Sequence, residues 1–151
     1  MSCPLPPPLL SARLFSRSHG LRSRGRCSLQ ILFSHGNAED LSTIYHYFKE
    51  FSKAVGVNIL AYDYTGYGKN RGEPSEAHVC ADIEAAWQHL IETRKMRPCE
   101  VVLYGRSVGS GATCYLAQKL SHEGTPPGEL THVTHTMTPC WCAAPHTKLW
   151  L

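Results

Sequence analysis

Residues 105–109, which read Gly-Arg-Ser-Val-Gly, are the part of the chain whose residue types most directly suggest chemistry. They follow an apolar run at 101–104 and precede a stretch of helical character at 112–120. A serine at the apex of a sharp turn between a strand and a helix presents its hydroxyl as a nucleophile. The backbone N–H of Val108 then lies at a helix N-terminus, where it can stabilise an oxyanion.

The two glycines of this segment have a steric role. The turn is so tight that a Cβ at Gly105 or Gly109 would clash with the strand or the helix. A second landmark lies upstream, where the apolar residues 28–34 run directly into His35, Gly36 and Asn37. Because Gly36 lets the chain turn close to the serine, the backbone N–H of Asn37 is the natural second oxyanion donor.

Strands and helices must alternate to position these residues. Apolar positions at helical spacing predict helices over 41–55 and from about 75 to 94, and residues 57–62 read as a short buried strand. Alternation of this kind implies βαβ units and a parallel sheet. The sequence therefore predicts an α/β fold with a parallel sheet of about three strands and flanking helices.

Four segments carry a family resemblance: 31–38, 62–68, 81–87 and 104–109. In order and spacing they resemble the α/β-hydrolase domain-containing 17 family, over roughly 29–120. That resemblance implies the N-terminal half of an α/β-hydrolase fold, with the predicted strands as strands 3, 4 and 5 and strand 3 in the centre. It also implies a serine thioesterase that removes palmitate from cysteines of membrane-associated proteins.

Roles can be carried over from the resemblance by position. Ser107 would be the nucleophile, and the N–H groups of Asn37 and Val108 would be the oxyanion donors. His35 would shape the oxyanion loop, with Gly36, Gly105 and Gly109 giving room for the turns. Asp63 would belong to a loop that shapes the pocket, although an Asp at a strand end also stabilises turns. We expect no cofactor and no resident metal.

Composition limits the remaining possibilities. The chain has 151 residues and a net charge of +3, which suits one domain and gives no indication of a nucleic-acid partner. The seven cysteines show no framework spacing, so we expect reduced thiols in a cytoplasmic protein. No apolar stretch is long enough to span a membrane.

The two ends differ from the middle. Residues 1–28 are rich in proline and arginine and predict a disordered leader, with mitochondrial targeting as an alternative. A third option is acylation of Cys3 and peripheral membrane contact. Residues 121–151 show no helix or strand period and predict an irregular tail after a hydrolase domain at 29–120. That would leave the strand before Gly105 at an unpaired edge of the sheet.

The tail is too short for two more βα units, which would take about 60 residues. We therefore expect a truncated domain whose triad acid and histidine are absent. The order serine, acid, histidine is formally met by several tail residues, but a floppy tail would lose much entropy on ordering. These formal candidates are Glu123, Glu129, His132, His135 and His146.

Two other patterns give weaker hypotheses. The tail residues His132, His135, Cys140, Cys142 and His146 are of zinc-ligand type, but their spacing is not that of a closed zinc site. Glycines 105, 109 and 111 with Tyr115 and Lys119 copy dehydrogenase motifs in the wrong order along the chain. Two functions remain, a serine hydrolase acting on acylated proteins and an inactive fragment that binds acyl groups or proteins. A serine peptidase or esterase of the same fold is the nearest variant.

Overall fold

One sheet organises the molecule, for which the computed structural model describes residues 12–15, 29–124 and 129–133. Its strands run in the order β1-β3-β2-β4-β5, with β1 antiparallel to β3 and the other neighbours parallel. The strands are β1 (Ala12–Phe15), β2 (Gln30–Ser34), β3 (Asn58–Tyr62), β4 (Val101–Arg106) and β5 (Glu129–Val133). The three predicted strands are β2, β3 and β4, and β2 lies in the centre as expected.

Helices cover both faces of this sheet. They are α1 (Leu41–Val55), α2 (Glu76–Gln88) and α3 (Val108–His122). A π-helical turn, His89–Thr93, extends α2, and a 3₁₀ turn, Pro98–Glu100, leads into β4. The predicted helix boundaries are therefore confirmed to within a few residues. None of the helices in the described part combines the length and apolar character needed to cross a bilayer.

The core has two layers because successive strand residues point to opposite faces. Leu32 and Leu103 are buried on the side of α2 and α3, where they pack with Trp87 and Leu116. Phe33 is buried on the other side beneath α1. Strands covered on both faces read as continuous apolar runs, which explains why β2 was recognisable in the sequence.

Local chemistry sets the ends of α1. The Asp40 carboxylate accepts hydrogen bonds from the backbone N–H groups of Ser42 (2.8 Å) and Thr43 (2.9 Å). In return the Thr43 hydroxyl accepts a bond from the Asp40 N–H, which completes a capping box. The helix ends at Gly56, whose φ of 70° is a left-handed conformation that favours glycine.

The outer strands differ from the sequence-based expectation. Residues 12–15 fall in the predicted leader and residues 129–133 in the predicted irregular tail, yet both ranges form strands. As a consequence β4 is paired on both sides rather than left at the edge. Segments this short carry little periodic pattern, and pairing with β3 and β4 gives them their structure. The rest of the leader and tail (1–11, 16–28, 125–128 and 134–151) lies outside the described residues.

Candidate active site

Strand register brings the predicted site residues together. Ser34 at the end of β2 pairs with Tyr62 of β3 on one side and with Gly105 of β4 on the other. Because the three strands are parallel, the residues that follow them meet at the same edge of the sheet. An ideal Cβ built on Gly36 would accordingly lie only 3.6 Å from the Cβ of Ser107.

Ser107 occupies the whole connection between strand and helix. β4 ends at Arg106 and α3 begins at Val108, so a single residue makes the turn. Its backbone has φ 53° and ψ −119°, a conformation that L-residues rarely adopt and that costs about 1–3 kcal/mol. The side chain of Ser107 is exposed at the apex. This geometry separates the hydroxyl from the sheet and keeps it accessible.

Both glycines beside the serine are required by close backbone approaches. A Cβ on Gly105 would overlap the carbonyl oxygen of Gly109 and lie 2.5 Å from the Thr113 hydroxyl. A Cβ on Gly109 would overlap the carbonyl oxygen of Ser34 and lie 2.7 Å from that of His35. Gly109 therefore allows the first turn of α3 to pack directly against the end of β2.

The loop after β2 is held by polar contacts. The N–H of Gly36 donates to Glu39 Oε2 at 2.9 Å, and Glu39 Oε1 forms an ion pair with the Arg106 guanidinium. On the other side the Tyr67 hydroxyl donates to Asn37 Oδ1 at 2.5 Å. Sequence analysis identified Gly36 and Asn37 but missed the other three residues, because only the strand register shows that they meet.

His35 is enclosed within the protein. The residue is 0% exposed, and its ring lies 4.3 Å from that of Tyr64 between centroids. Nδ1 donates to the carbonyl oxygen of Gly36 at 2.8 Å, since a carbonyl can only accept. Within the described residues Nε2 has no hydrogen-bond partner. Burial lowers the pKa of His35 and favours the neutral imidazole.

Asp63 connects the end of β3 to the start of α1. Its Oδ1 accepts the backbone N–H of Leu41 at 2.8 Å and lies 3.6 Å from His35 Nε2. Its own carbonyl accepts the side-chain amide of Asn70 at 2.6 Å. The Asp63 carboxylate thus bonds the N-terminus of α1 and is only 3% exposed.

Among the described residues, the Ser107 hydroxyl makes no hydrogen bond. Of the formal triad candidates in the tail, Glu123 ends α3, whereas Glu129 and His132 lie in β5, with His132 paired to Gly105. His135 and His146 fall outside the described ranges, as do Cys140 and Cys142 of the zinc hypothesis. The part of the chain that the structure describes holds no cluster of three or more His, Cys, Asp or Glu residues suited to a metal.

A mostly parallel sheet of this order, with helices on both faces and a one-residue serine turn between a strand and a helix, is the architecture of an α/β-hydrolase. Residues 26–126 match the family model Hydrolase_4, described as serine aminopeptidase, S33. The chain belongs to this family.

Curated relatives support the resemblance seen in the sequence. The chain is 43% identical over 89 residues to alpha/beta hydrolase domain-containing protein 17C of Mus musculus, a match that covers 59% of this chain and 28% of the relative. It is 41% identical over 98 residues to the human 17B protein, covering 62% of this chain and 34% of the relative. The matched region thus spans about a third of the length of these relatives.

Solved structures show the same fold. An alpha-beta hydrolase from Vibrio vulnificus aligns with a TM-score of 0.63 at 24% identity, covering 67% of this chain and 36% of the other. An esterase from Pyrobaculum calidifontis aligns with a TM-score of 0.61 at 16% identity, covering 78% and 38%. At these identities the likeness establishes the fold and leaves the substrate open.

Proposed function

We propose that this protein is a serine hydrolase in which Ser107 is the nucleophile and the turn around it is a nucleophile elbow. The observation that carries the proposal is the Ser107 backbone at φ 53°, in a single-residue connection between β4 and α3. A strained conformation at an exposed serine is costly, and such strain concentrates at functional sites.

The reaction we propose is hydrolysis of an acyl thioester or ester through an acyl-enzyme. A general base takes the hydroxyl proton of Ser107 as Oγ bonds to the carbonyl carbon, and the resulting oxyanion accepts hydrogen bonds from the N–H groups of Asn37 and Val108. The tetrahedral intermediate then breaks its bond to the leaving sulfur or oxygen, which receives the proton. Water, deprotonated by the same base, releases the acid and restores Ser107.

The substrate we propose is a palmitoylated protein. The support is the similarity to the 17B and 17C hydrolase domain-containing proteins, at 41% identity over 98 residues and 43% over 89 residues. A cytoplasmic location with peripheral membrane contact would bring such an enzyme to acylated cysteines. An esterase or peptidase of the same fold would use the same turn and loop with a different leaving group.

Within the part of the chain that the structure describes, no side chain hydrogen-bonds to the Ser107 hydroxyl. The same observation favours a second candidate function, in which the chain binds an acyl group at the turn without hydrolysing it. Without a base, only the oxyanion donors and binding would remain, and they give residual catalysis alone.

Covalent labelling separates these functions. The chain of 151 residues is treated with a fluorophosphonate probe, which reacts with activated serines, and Ser107→Ala is compared with Ser121→Ala. Ser121 is an exposed serine in the last turn of α3 and serves as a matched control. We expect labelling that disappears only in Ser107→Ala, together with release of palmitate from a palmitoyl-thioester peptide.

A folded wild-type protein that resists the probe would contradict the hydrolase proposal. Binding of a non-hydrolysable palmitoyl thioether peptide, lost in Ser107→Trp, would then support the binding function.

A further inference from the structure

We propose that the ion pair between Glu39 and Arg106 is a positioning device that holds the Gly36–Asn37 peptide in register with Ser107. Neither side chain is assigned a role by the motif. The inference rests on the proposed function, because it concerns the donor loop of the same site. It makes Glu39 and Arg106 positioning residues rather than catalytic ones.

One carboxylate joins the two halves of the site. Glu39 Oε2 accepts the N–H of Gly36 at 2.9 Å, and Oε1 pairs with the guanidinium of Arg106. Arg106 is the last residue of β4 and directly precedes Ser107. Glu39 therefore links the Gly36 N–H to the residue that precedes Ser107. Arg106 Nε also lies 3.7 Å from the ideal Cβ position of Gly36.

Partial burial strengthens this pair. The side chains of Arg106 and Glu39 are 37% and 21% exposed, whereas those of the Lys53–Glu50 pair on α1 are 50% and 70% exposed. Fully exposed pairs contribute little because water and salt screen them, while partly buried pairs are screened less. The Glu39–Arg106 contact is thus less screened by solvent than the Lys53–Glu50 pair.

The pair has a second, electrostatic consequence. Glu39 lies close to the place where the proposed reaction develops negative charge, and an unpaired carboxylate there would oppose that charge. Pairing with Arg106 neutralises Glu39 while leaving Oε2 free to accept the Gly36 N–H. The two residues therefore differ in their expected effects, since loss of Arg106 exposes a carboxylate and loss of Glu39 exposes a cation.

Amide hydrogen exchange tests the positioning role without relying on activity. In ¹⁵N-labelled protein we expect the Gly36 N–H to exchange about two- to fivefold faster in Arg106→Gln than in wild type, and Arg106→Lys to restore most of the protection. Glu100→Gln is the matched control, because Glu100 accepts the Arg97 N–H at 3.0 Å and pairs with its guanidinium at 2.8 Å, at the opposite end of β4 from the site. Unchanged exchange at Gly36 in Arg106→Gln would overturn the proposal.

The rate of Ser107 labelling tests the electrostatic consequence. We expect Arg106→Gln to be labelled more slowly than Glu39→Gln, by about two- to fivefold, and the double variant to recover relative to Arg106→Gln. A merely structural contact would slow both single variants equally, and that outcome would contradict the electrostatic part. If wild type is not labelled at all, the hydrolase proposal fails, and the exchange rates alone decide the positioning role.

Discussion

The turn at Ser107 and the loop from His35 to Asp40 lie side by side, but different forces hold them. Backbone contacts confine the turn, because Gly105 and Gly109 have no space for a Cβ. Side-chain hydrogen bonds and one ion pair hold the loop, through Glu39 and neighbouring groups. Steric overlap cannot be relieved without moving the backbone, whereas polar contacts are individually weak and replaceable. We therefore expect large effects of substitution in the turn and graded effects in the loop.

The largest effect on unfolding free energy is expected at Gly109 of α3, and a second glycine of that helix, Gly111, provides the comparison. Gly109→Ala places a methyl group on the carbonyl oxygen of Ser34, and we expect it to lower the free energy of unfolding by about 3 kcal/mol. Gly111→Ala is the control, since no atom lies within 4 Å of its Cβ position. There the better helix propensity of alanine adds about 0.5–1 kcal/mol. Urea unfolding measures both, and similar values for the two variants would refute the steric account of the turn.

A smaller effect on stability is expected in the loop at Asp40, the residue that caps the N-terminus of α1. Asp40→Ala removes the acceptor of two backbone N–H groups at the start of α1 and is expected to cost about 1 kcal/mol of unfolding free energy. Asp40→Asn keeps an acceptor oxygen and should cost only part of that. The thermal midpoint and urea unfolding of both variants provide the measurement. A loss as large as that of Gly109→Ala would mean that the loop is as tightly constrained as the turn.

Strain at the nucleophile predicts a gain in stability. Ser107→Gly relieves a backbone at φ 53°, and the relief of about 1–3 kcal/mol exceeds the entropic cost of glycine, about 0.5–1 kcal/mol. The net gain should be about 1 kcal/mol, accompanied by complete loss of labelling. Ser107→Ala is the control, because it also loses the hydroxyl but keeps the Cβ and the strain. Equal stability of the two variants would show that the turn stores no strain.

The smallest effect concerns acid sensitivity of the loop. Burial lowers the pKa of His35, and Arg106 acts in the same direction, while the Gly36 carbonyl, Asp63 and Asp40 act against it. As pH falls below the ordinary histidine value of 6.5, the unfolded chain binds a proton before the folded one does. Stability should therefore decrease with falling pH until the folded pKa is passed, and then level off.

Histidine ring resonances followed through the titration check this expectation directly. The His35 signal should titrate at lower pH than in the unfolded chain, and unfolding free energies should decrease over the same interval. Replacement of His46, an exposed histidine on α1, is the control and should leave this decrease in place. A His35 ring that titrates above its unfolded value would reverse the sign and contradict the burial argument.

Sequence analysis predicted the centre of the fold better than its edges. β2, β3 and β4 are buried on both faces, so their apolar runs were recognisable, and α1 followed from its periodic apolar face. β1 and β5 have four and five residues and are defined by pairing with β3 and β4. A strand that depends on its neighbour for pairing leaves little periodic signal of its own.

The site shows the same division. Ser107 and its two glycines were identified from sequence because the turn is made within five consecutive residues, where the steric requirement is local. Gly36 and Asn37 were identified as neighbours of the serine from a glycine turn directly after a buried strand, and the resemblance then implied the same positions. Glu39, Arg106 and Tyr67 were missed, since they come from three separate segments that meet at the ends of parallel strands.

The sequence by itself therefore determined the alternation of strands and helices, the position of the serine turn and the family to which the chain is similar. These properties are set by residues close together in the sequence, through the spacing of apolar side chains and the glycines that lack a Cβ. Tertiary structure alone decided the pairing of the outer strands, the burial of His35 against Tyr64 and the ion pair of Glu39 with Arg106. Those contacts depend on strand register, which sets residues distant in sequence within hydrogen-bond reach of each other.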